Sequence, residues 1–198
     1  PTLAEILLPR VLRRFARQHP QIQVVIDDCS PDQFVARVVG ERVDLGIGTP
    51  ERAAAGVDTR RLMADTLAFV CRKDHPLATR RRLQWRDLAG HAVVTVRPGY
   101  GIRPLIDGAA AQAGVALDVV NEVSFLSTAL WLADGGAGGA IMPSAYARRP
   151  GGPARVVRKL HGPVVSRDIS LVTQRGRSMS PAATAFVATL EAELAATR

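Results

Sequence analysis

The chain has 198 residues, 47% of them hydrophobic and 22% charged, the proportions of an ordinary globular protein. That length allows one medium domain or two small subdomains sharing a cleft. No apolar run approaches the ~18 residues of a membrane span, and no basic segment followed by an apolar core marks a secretory signal. The formal net charge of +8 raises a nucleic-acid reading. The positive residues are scattered, however: one run at Arg80-Arg81-Arg82 and pairs at Arg13-Arg14, Arg60-Arg61 and Arg148-Arg149. No aromatic residues interleave with them as a stacking platform requires, so they read as a solvated surface. Cys29 and Cys71 are too few to staple the domain and match no zinc or redox spacing. They read as free thiols in a reducing, cytoplasmic setting, with a redox-sensing Cys29 as the sharper alternative. The sequence starts at Pro1 without an initiator Met and reads as a fragment of a longer chain.

Leu3, Leu7, Leu8, Val11, Leu12 and Phe15 recur at helical spacing, and Thr2 with Glu5 forms a capping-box pattern at the start. Pro9 is expected to kink or open this helix. After His19-Pro20, residues 23–27 (QVVID) read as a β-branched strand. Ser30-Pro31-Asp32-Gln33 is a helix start, with Ser as cap and Pro at the first position. Phe34, Val35, Val38 and Val39 give that helix its inner face. Residues 43–48 (VDLGIG) read as a short buried strand, so the opening order is helix, strand, helix, strand and favours an α/β fold with a mostly parallel sheet.

A loop and a short extended piece follow over 49–62, then a strong strand at 66–72 (TLAFVCR) and a short helical turn over 85–90 (WRDLAG) ending on its glycine. Further on, the pattern gives a strand at 92–96, a loop at 97–101, a helix over about 102–113 closed by Gly114, a strand at 117–123 and a helix at 124–133. The glycine run 135–139 leads into a short strand at 140–142. Residues 143–147 form a helical turn, and 148–155 form an Arg, Pro and Gly-rich loop. The chain closes with a strand at 168–174 and a helix from Ser180-Pro181 to about Ala195, with Phe186, Val187, Leu190 and Leu194 inward. The two halves are similar. Strand 66–72 leaves the first and strand 168–174 returns to it, an arrangement expected to make a two-lobed hinge with a cleft.

LLPRVLRRFARQHPQIQVVI (7–26), GERVDLGIG (40–48), DTLAFVCRKDHPLA (65–78), WRDLAG (85–90), GIRPLIDGAAAQAGV (101–115), EVSFLSTALWLADGGAGGAIMP (122–143) and ISLVTQRGRSMSPAATAFV (169–187) occur in order. Together they resemble the effector-binding domain of LysR-type transcriptional regulators over nearly the whole chain. The resemblance implies an α/β fold of the type II periplasmic-binding-protein class: two Rossmann-like subdomains, 1–72 with 169–198 and 73–168, joined by two crossover strands. It also implies a small effector in the cleft, a homodimer through the first helix, second strand and last helix, and a tetramer in the full-length protein. Promoter DNA would be bound through an N-terminal winged helix-turn-helix that this chain lacks, as it lacks the strand that usually precedes the first sensor helix. The extra glycine at 135–139 departs from the family and is expected to loosen that loop.

In open α/β sheets, ligands bind beyond the carboxyl ends of strands, where helix N-termini offer unpaired N–H groups. Thr2, Ser30, the loop Gly99-Tyr100-Gly101-Ile102, and Ser127-Thr128 occupy such positions. Each is a simple cap when taken alone, and the resemblance places them around the effector. Arg97 and Arg103 flank the second-lobe loop as possible partners of an effector carboxylate. Phe125 and Tyr100 are candidates for pocket lining or core, and Trp131 for core. The pocket residues suit a small polar or anionic effector. No nucleophile elbow, P-loop or dinucleotide fingerprint occurs. His19, His75, His91 and His161 show no metal-ligand spacing, and no carboxylate pair suits acid–base work. The sequence therefore predicts a sensor without catalytic residues, metal or cofactor. Its alternative is a stand-alone solute-binding protein of the same fold.

Overall fold

The computed structural model describes residues 2–29, 31–50, 55–99, 101–148 and 154–196, with side chains left out for 2–6 and 31–32. The chain forms two compact units, Pro1–Ala64 with Arg167–Arg198, and Asp65–Ser166.

The first unit begins with helix α1 (Thr2–Gln18). Val11 and Phe15 are buried on its inner face, with Leu7, Leu8 and Leu12 packed beside them. The helix runs unbroken through Pro9. The acceptor that proline leaves unused is the carbonyl four residues back, and Pro9 itself is exposed. The helix α6 (Pro181–Ala196) packs on α1. Phe15 meets Phe186 edge-on at 5.3 Å, Arg14 pairs with Glu193 at 3.0 Å, and the Thr189 hydroxyl donates to Gln18 at 3.1 Å. Ser180 caps α6 through the Ala183 N–H at 3.1 Å. The inward residues are those the periodicity marks: Phe186, Val187 and Leu190 are buried and Leu194 packs on them.

Helix α2 (Pro31–Val39) starts at the expected proline, while its Ser30 cap lies outside the described residues. Val38 is buried against Val57 and Val172. Strand β1 (Gly46–Gly48) pairs antiparallel with β8 (Ser166–Gln174). Gly46 and Gly48 are required by the Phe34 ring, which a Cβ at Gly46 would meet at 2.4 Å.

The strand expected over 23–27 does not form; residues 22–29 carry no strand pairing. Ile22 and Val24 pack on the core while Val25 (80%) and Ile26 (51%) are exposed. The apolar pattern is therefore right for a sheet edge, but a strand also needs a hydrogen-bonded neighbour, and among the described residues none lies beside it. The segment is held instead by the Arg37–Asp27 ion pair at 2.5 Å.

Strand β2 (Val57–Arg72) runs from the first unit into the second and is longer than its apolar part suggests. Its early residues Arg60 and Arg61 make it look like a loop in sequence; they are exposed and pair with Glu191 and Asp168.

In the second unit β2 is flanked by β6 (Gly139–Pro143) and β7 (Arg155–His161), both antiparallel to it. Strand β7 is not expected from the sequence. Its Leu160 is buried, but basic residues hide it: Arg155 pairs with Asp134 at 2.5 Å and Arg158 donates to the Ala78 carbonyl at 2.6 Å. A short strand β3 (Leu83–Gln84) runs parallel to β7. Strand β4 (Ala92–Val96) lies parallel to both β6 and β5 (Asp118–Val123). Helices α3 (Arg103–Gln112), α4 (Leu126–Asp134) and α5 (Ser144–Ala147) connect these strands. The 3-10 turns Pro76–Thr79 and Trp85–Leu88 close the unit around a core of Phe69, Leu83, Trp85, Leu88, Ile106 and Ile141.

The glycine run does the opposite of loosening. Gly138 has φ of 135° and its Cβ would lie 2.7 Å from the Ala92 carbonyl oxygen, while a Cβ on Gly139 would lie 1.8 Å from the Phe69 ring. These glycines let β6 approach its neighbours closely.

Candidate functional site

Parallel strands β4 and β5 end at the same side of the second unit's sheet. The loop 97–102 leaves β4 and leads into α3, and Ser124 and Phe125 leave β5 and lead into α4. Both helix N-termini therefore face the carboxyl edge of one sheet, the position where α/β folds bind ligands. The Arg97 N–H bonds the Val123 carbonyl at 3.0 Å and joins the two loops. Gly99 (φ 92°) and Gly101 are exposed, with open space where a Cβ would stand.

Helix α4 starts without a side-chain cap, Phe125 being its N-cap residue. Ser127 and Thr128 lie in its first turn, half-buried, and among the described residues neither hydroxyl has a hydrogen-bond partner. Ile102 differs from its loop neighbours: its side chain is buried in the core, so only its backbone faces outward. The Thr2 backbone opens α1, and its side chain lies outside the described residues, as do Ser30 and Tyr100.

The two arginines are not equivalent. Arg103 donates from Nε to both Asp107 oxygens (2.8 and 3.0 Å) and from Nη1 to the Val96 carbonyl (3.0 Å) and the Glu122 carboxylate. It is a brace holding the end of β4 to α3 and β5. Arg97 is exposed and makes one long contact, to the Glu122 carbonyl at 3.5 Å. Of the pair, it is Arg97 that an anion would find available.

Trp131 is not in the core; it is 71% exposed on α4, and Phe125 is 60% exposed. The helix period puts Ala129, Leu130 and Ala133 inward, which turns Trp131 outward. Sequence reasoning missed Thr95, a fully buried residue next to the end of β4 whose hydroxyl has no partner among the described residues. A lone hydroxyl in the run AVVTV was the available signal. It also missed Asp65, nearly buried, whose Oδ1 accepts the Thr66 N–H at 2.8 Å and the Ala145 N–H at 3.2 Å, tying β2 to α5.

The cysteines are poor thiolates. Burial pushes the Cys71 thiol up to about 11, and burial also raises Cys29, against the lowering by Arg37. Both remain in the less reactive protonated form. Among the described residues no group of three side chains suited to a metal ion occurs.

The fold brings together two histidines that the sequence keeps apart. The rings of His75 and His91 lie 5.5 Å apart, and His75 Nδ1 accepts the Leu77 N–H at 3.1 Å. Burial, then the neighbouring His91, holds the His75 pKa below its ordinary value, against the opposite pull of Asp74. The folded state thus favours neutral His75. Its contribution to stability is present above the unfolded value of about 6.5 and is lost as pH falls through the folded value. Thermal unfolding between neutral and mildly acidic pH should show a larger fall for the parent than for His75→Asn, which keeps a cap but cannot titrate. Equal falls would show that His75 does not carry the effect.

The class is now defined: a two-unit α/β domain with an open helix start at the carboxyl edge of a parallel pair. The chain belongs to the family of LysR substrate binding domains, whose sequence profile matches residues 1–195. It is 29% identical over 190 residues to the HTH-type transcriptional regulator YbhD of Escherichia coli (strain K12), covering 96% of this chain and 60% of that one. It is 30% identical over 186 residues to the HTH-type regulator YfeR of Shigella flexneri, covering 93% and 60%. The chain thus spans about 60% of the length of these relatives. Among solved structures it superposes with TM-score 0.86 on the CcmR regulatory domain of Synechocystis PCC6803 in complex with 2-PG, at 20% identity and covering 96% of this chain and 92% of that one. The effector-binding domain of QuiR in complex with shikimate gives TM-score 0.80 at 22% identity, covering 96% and 91%. The fold is the periplasmic-binding-protein-like type II fold of LysR regulatory domains.

Proposed function

We propose that this chain is the effector-sensing domain of a LysR-type transcription factor and binds a small polar or anionic metabolite. The observation that carries the reading is the start of α4. Helix α6 has its Ala183 N–H served by the Ser180 hydroxyl, whereas α4 has no side-chain cap beside the Ser127 and Thr128 hydroxyls. An uncapped helix start next to a glycine loop suits a carboxylate, a phosphate or a hydroxyl-rich ligand. Two structural neighbours hold small ligands, 2-PG and shikimate, which supports a small-molecule effector here.

The effector contacts in this reading are Gly99, Tyr100, Gly101, Ile102, Ser127 and Thr128 of the second unit, with Arg97 as the anion partner and Arg103 bracing the end of β4 to α3 and β5. The domain catalyses no reaction. The whole protein binds promoter DNA through an N-terminal helix-turn-helix and works in the cytoplasm as a dimer or tetramer. The relatives' names support the DNA role. The exposed, unpaired segment bearing Val25 and Ile26 supports self-association beside α1. No helix among the described residues is long and apolar enough to cross a membrane.

The test is a thermal-shift screen of carboxylates, aromatic acids, amino acids and phosphates on the parent and on Thr128→Val. A ligand at a hundredfold its Kd adds about 2.7 kcal/mol of stability. The expected result is a clear upward shift that Thr128→Val abolishes. A shift that survives would move the site away from α4, and no shift with any compound would overturn the small-effector reading.

A further inference from the structure

Between Arg72 and His91 the chain carries six arginine or lysine residues against two acids. Both acids are already engaged: Asp74 takes Arg72 at 2.9 and 2.7 Å, and Asp87 accepts the Gln84 N–H at 2.8 Å. Arg80, Arg81, Arg82 and Arg86 are exposed, and among the described residues none of them forms an ion pair. Elsewhere several arginines are neutralised by acids, as at Arg14, Arg37, Arg60, Arg103 and Arg175. These free cations also stand on a fixed base. The Arg80 N–H bonds the Leu77 carbonyl at 3.2 Å, Arg158 holds the Ala78 carbonyl, and β3 is laddered to β7 with Leu83 opposite Leu160. Leu83 and Leu160 are both buried, and the residues before them, Arg82 and Lys159, are both exposed.

We propose that this edge of the second unit, Arg80 to Arg82 with Arg86 and Lys159, binds the phosphate backbone of duplex DNA. Guanidinium forks match phosphate oxygens in a way that a lysine surface does not. No large hydrophobic side chain is exposed between Arg72 and His91 among the described residues. A protein-binding patch would need such an apolar or aromatic anchor, and a single-strand site would need stacking rings; phosphate tracking needs neither. The choice of DNA over other polyanions rests on the regulator reading, but the contact needs no effector, so the two proposals fail separately. The sensor would then hold DNA flanking the site read by the helix-turn-helix, without sequence preference.

The experiment is fluorescence anisotropy of this chain with a labelled random-sequence duplex, from about 50 to 200 mM salt. Two triple variants remove equal charge: Arg80→Gln/Arg81→Gln/Arg82→Gln in the proposed surface, and Arg42→Gln/Arg60→Gln/Arg175→Gln in the first unit. Each lost phosphate contact lowers the salt slope by about 0.9, so the first variant should lose about 2 to 3 from the slope and at least about tenfold in affinity at low salt. The second should stay within about twofold. Thermal unfolding verifies that both fold, and Arg86→Gln/Lys159→Gln repeats the test if the first does not. Equal losses in both variants would overturn the proposal, as would absence of duplex binding by the parent at low salt. Displacement of the duplex by polyglutamate at equal charge would overturn DNA as the partner.

Discussion

Gly139→Ala is expected to destabilise the second unit by about 3 kcal/mol, the upper part of the range for overpacking a tight core. The added Cβ would stand 1.8, 2.3 and 2.6 Å from three carbons of the Phe69 ring. Contacts that short must be relieved by movement, and neither partner has room. Phe69 is fully buried on β2, which is hydrogen-bonded on both sides: Phe69 pairs with Ile141 of β6 and with Arg158 of β7. The Gly139 backbone is itself fixed by its pairing with Val93. Thermal unfolding should show a fall of roughly 6–12 °C at 2–4 °C per kcal/mol for a chain of this size. Phe69→Leu removes the obstructing ring edge, so the double variant should lose less than the sum of the single losses, a coupling characteristic of residues in contact. A Gly139→Ala protein within about 0.5 kcal/mol of the parent would show that β6 does not approach Phe69 this closely.

Trp85→Ala is expected to cost about 3–5 kcal/mol and Trp85→Phe about 1–3 kcal/mol. Trp85 is fully buried in the second unit's core, and its indole N–H donates to the Pro163 carbonyl at 2.9 Å. Alanine leaves a cavity that a 3-10 turn anchored by Asp87 at Gln84 cannot collapse to fill. Phenylalanine fills most of that space but leaves the half-buried Pro163 carbonyl without its donor, and the difference between the two variants separates packing from hydrogen bonding. Fluorescence gives an independent check. The chain has two tryptophans, and Trp131 is largely exposed, so emission from Trp85→Phe should be that of a solvated indole. A blue-shifted emission persisting in that variant would contradict the exposure of Trp131.

The helices were legible because their signals are local. The stripe of α6 and the proline start of α2 depend on residues three and four apart, and the structure places both elements within a residue of expectation. The buried strands β4 and β6 were equally plain, since apolar runs between glycines leave few alternatives. Strand β7 was hidden because its arginines and lysine are chain-local signals for a loop, whereas their partners, Asp134 and the Ala78 carbonyl, are distant in sequence. The segment 22–29 failed in the other direction: its residues suit a strand, but pairing is a property of two segments.

The candidate site divides in the same way. Sequence chemistry alone marked the Gly99–Ile102 loop and Ser127-Thr128, because hydroxyls and glycines before helices are a local pattern. Only the tertiary structure separated Arg103, spent on Asp107, Glu122 and Val96, from exposed Arg97. Only it buried the side chain of Ile102, exposed Trp131, and paired His75 with His91. What the sequence determined by itself was the helices and the buried strands, set by propensities and apolar spacing along the chain, and the family through the resemblance of its motifs in order. What the tertiary structure decided was which charges are neutralised and which face water, because an ion pair or a buried ring depends on residues brought together from distant parts of the chain.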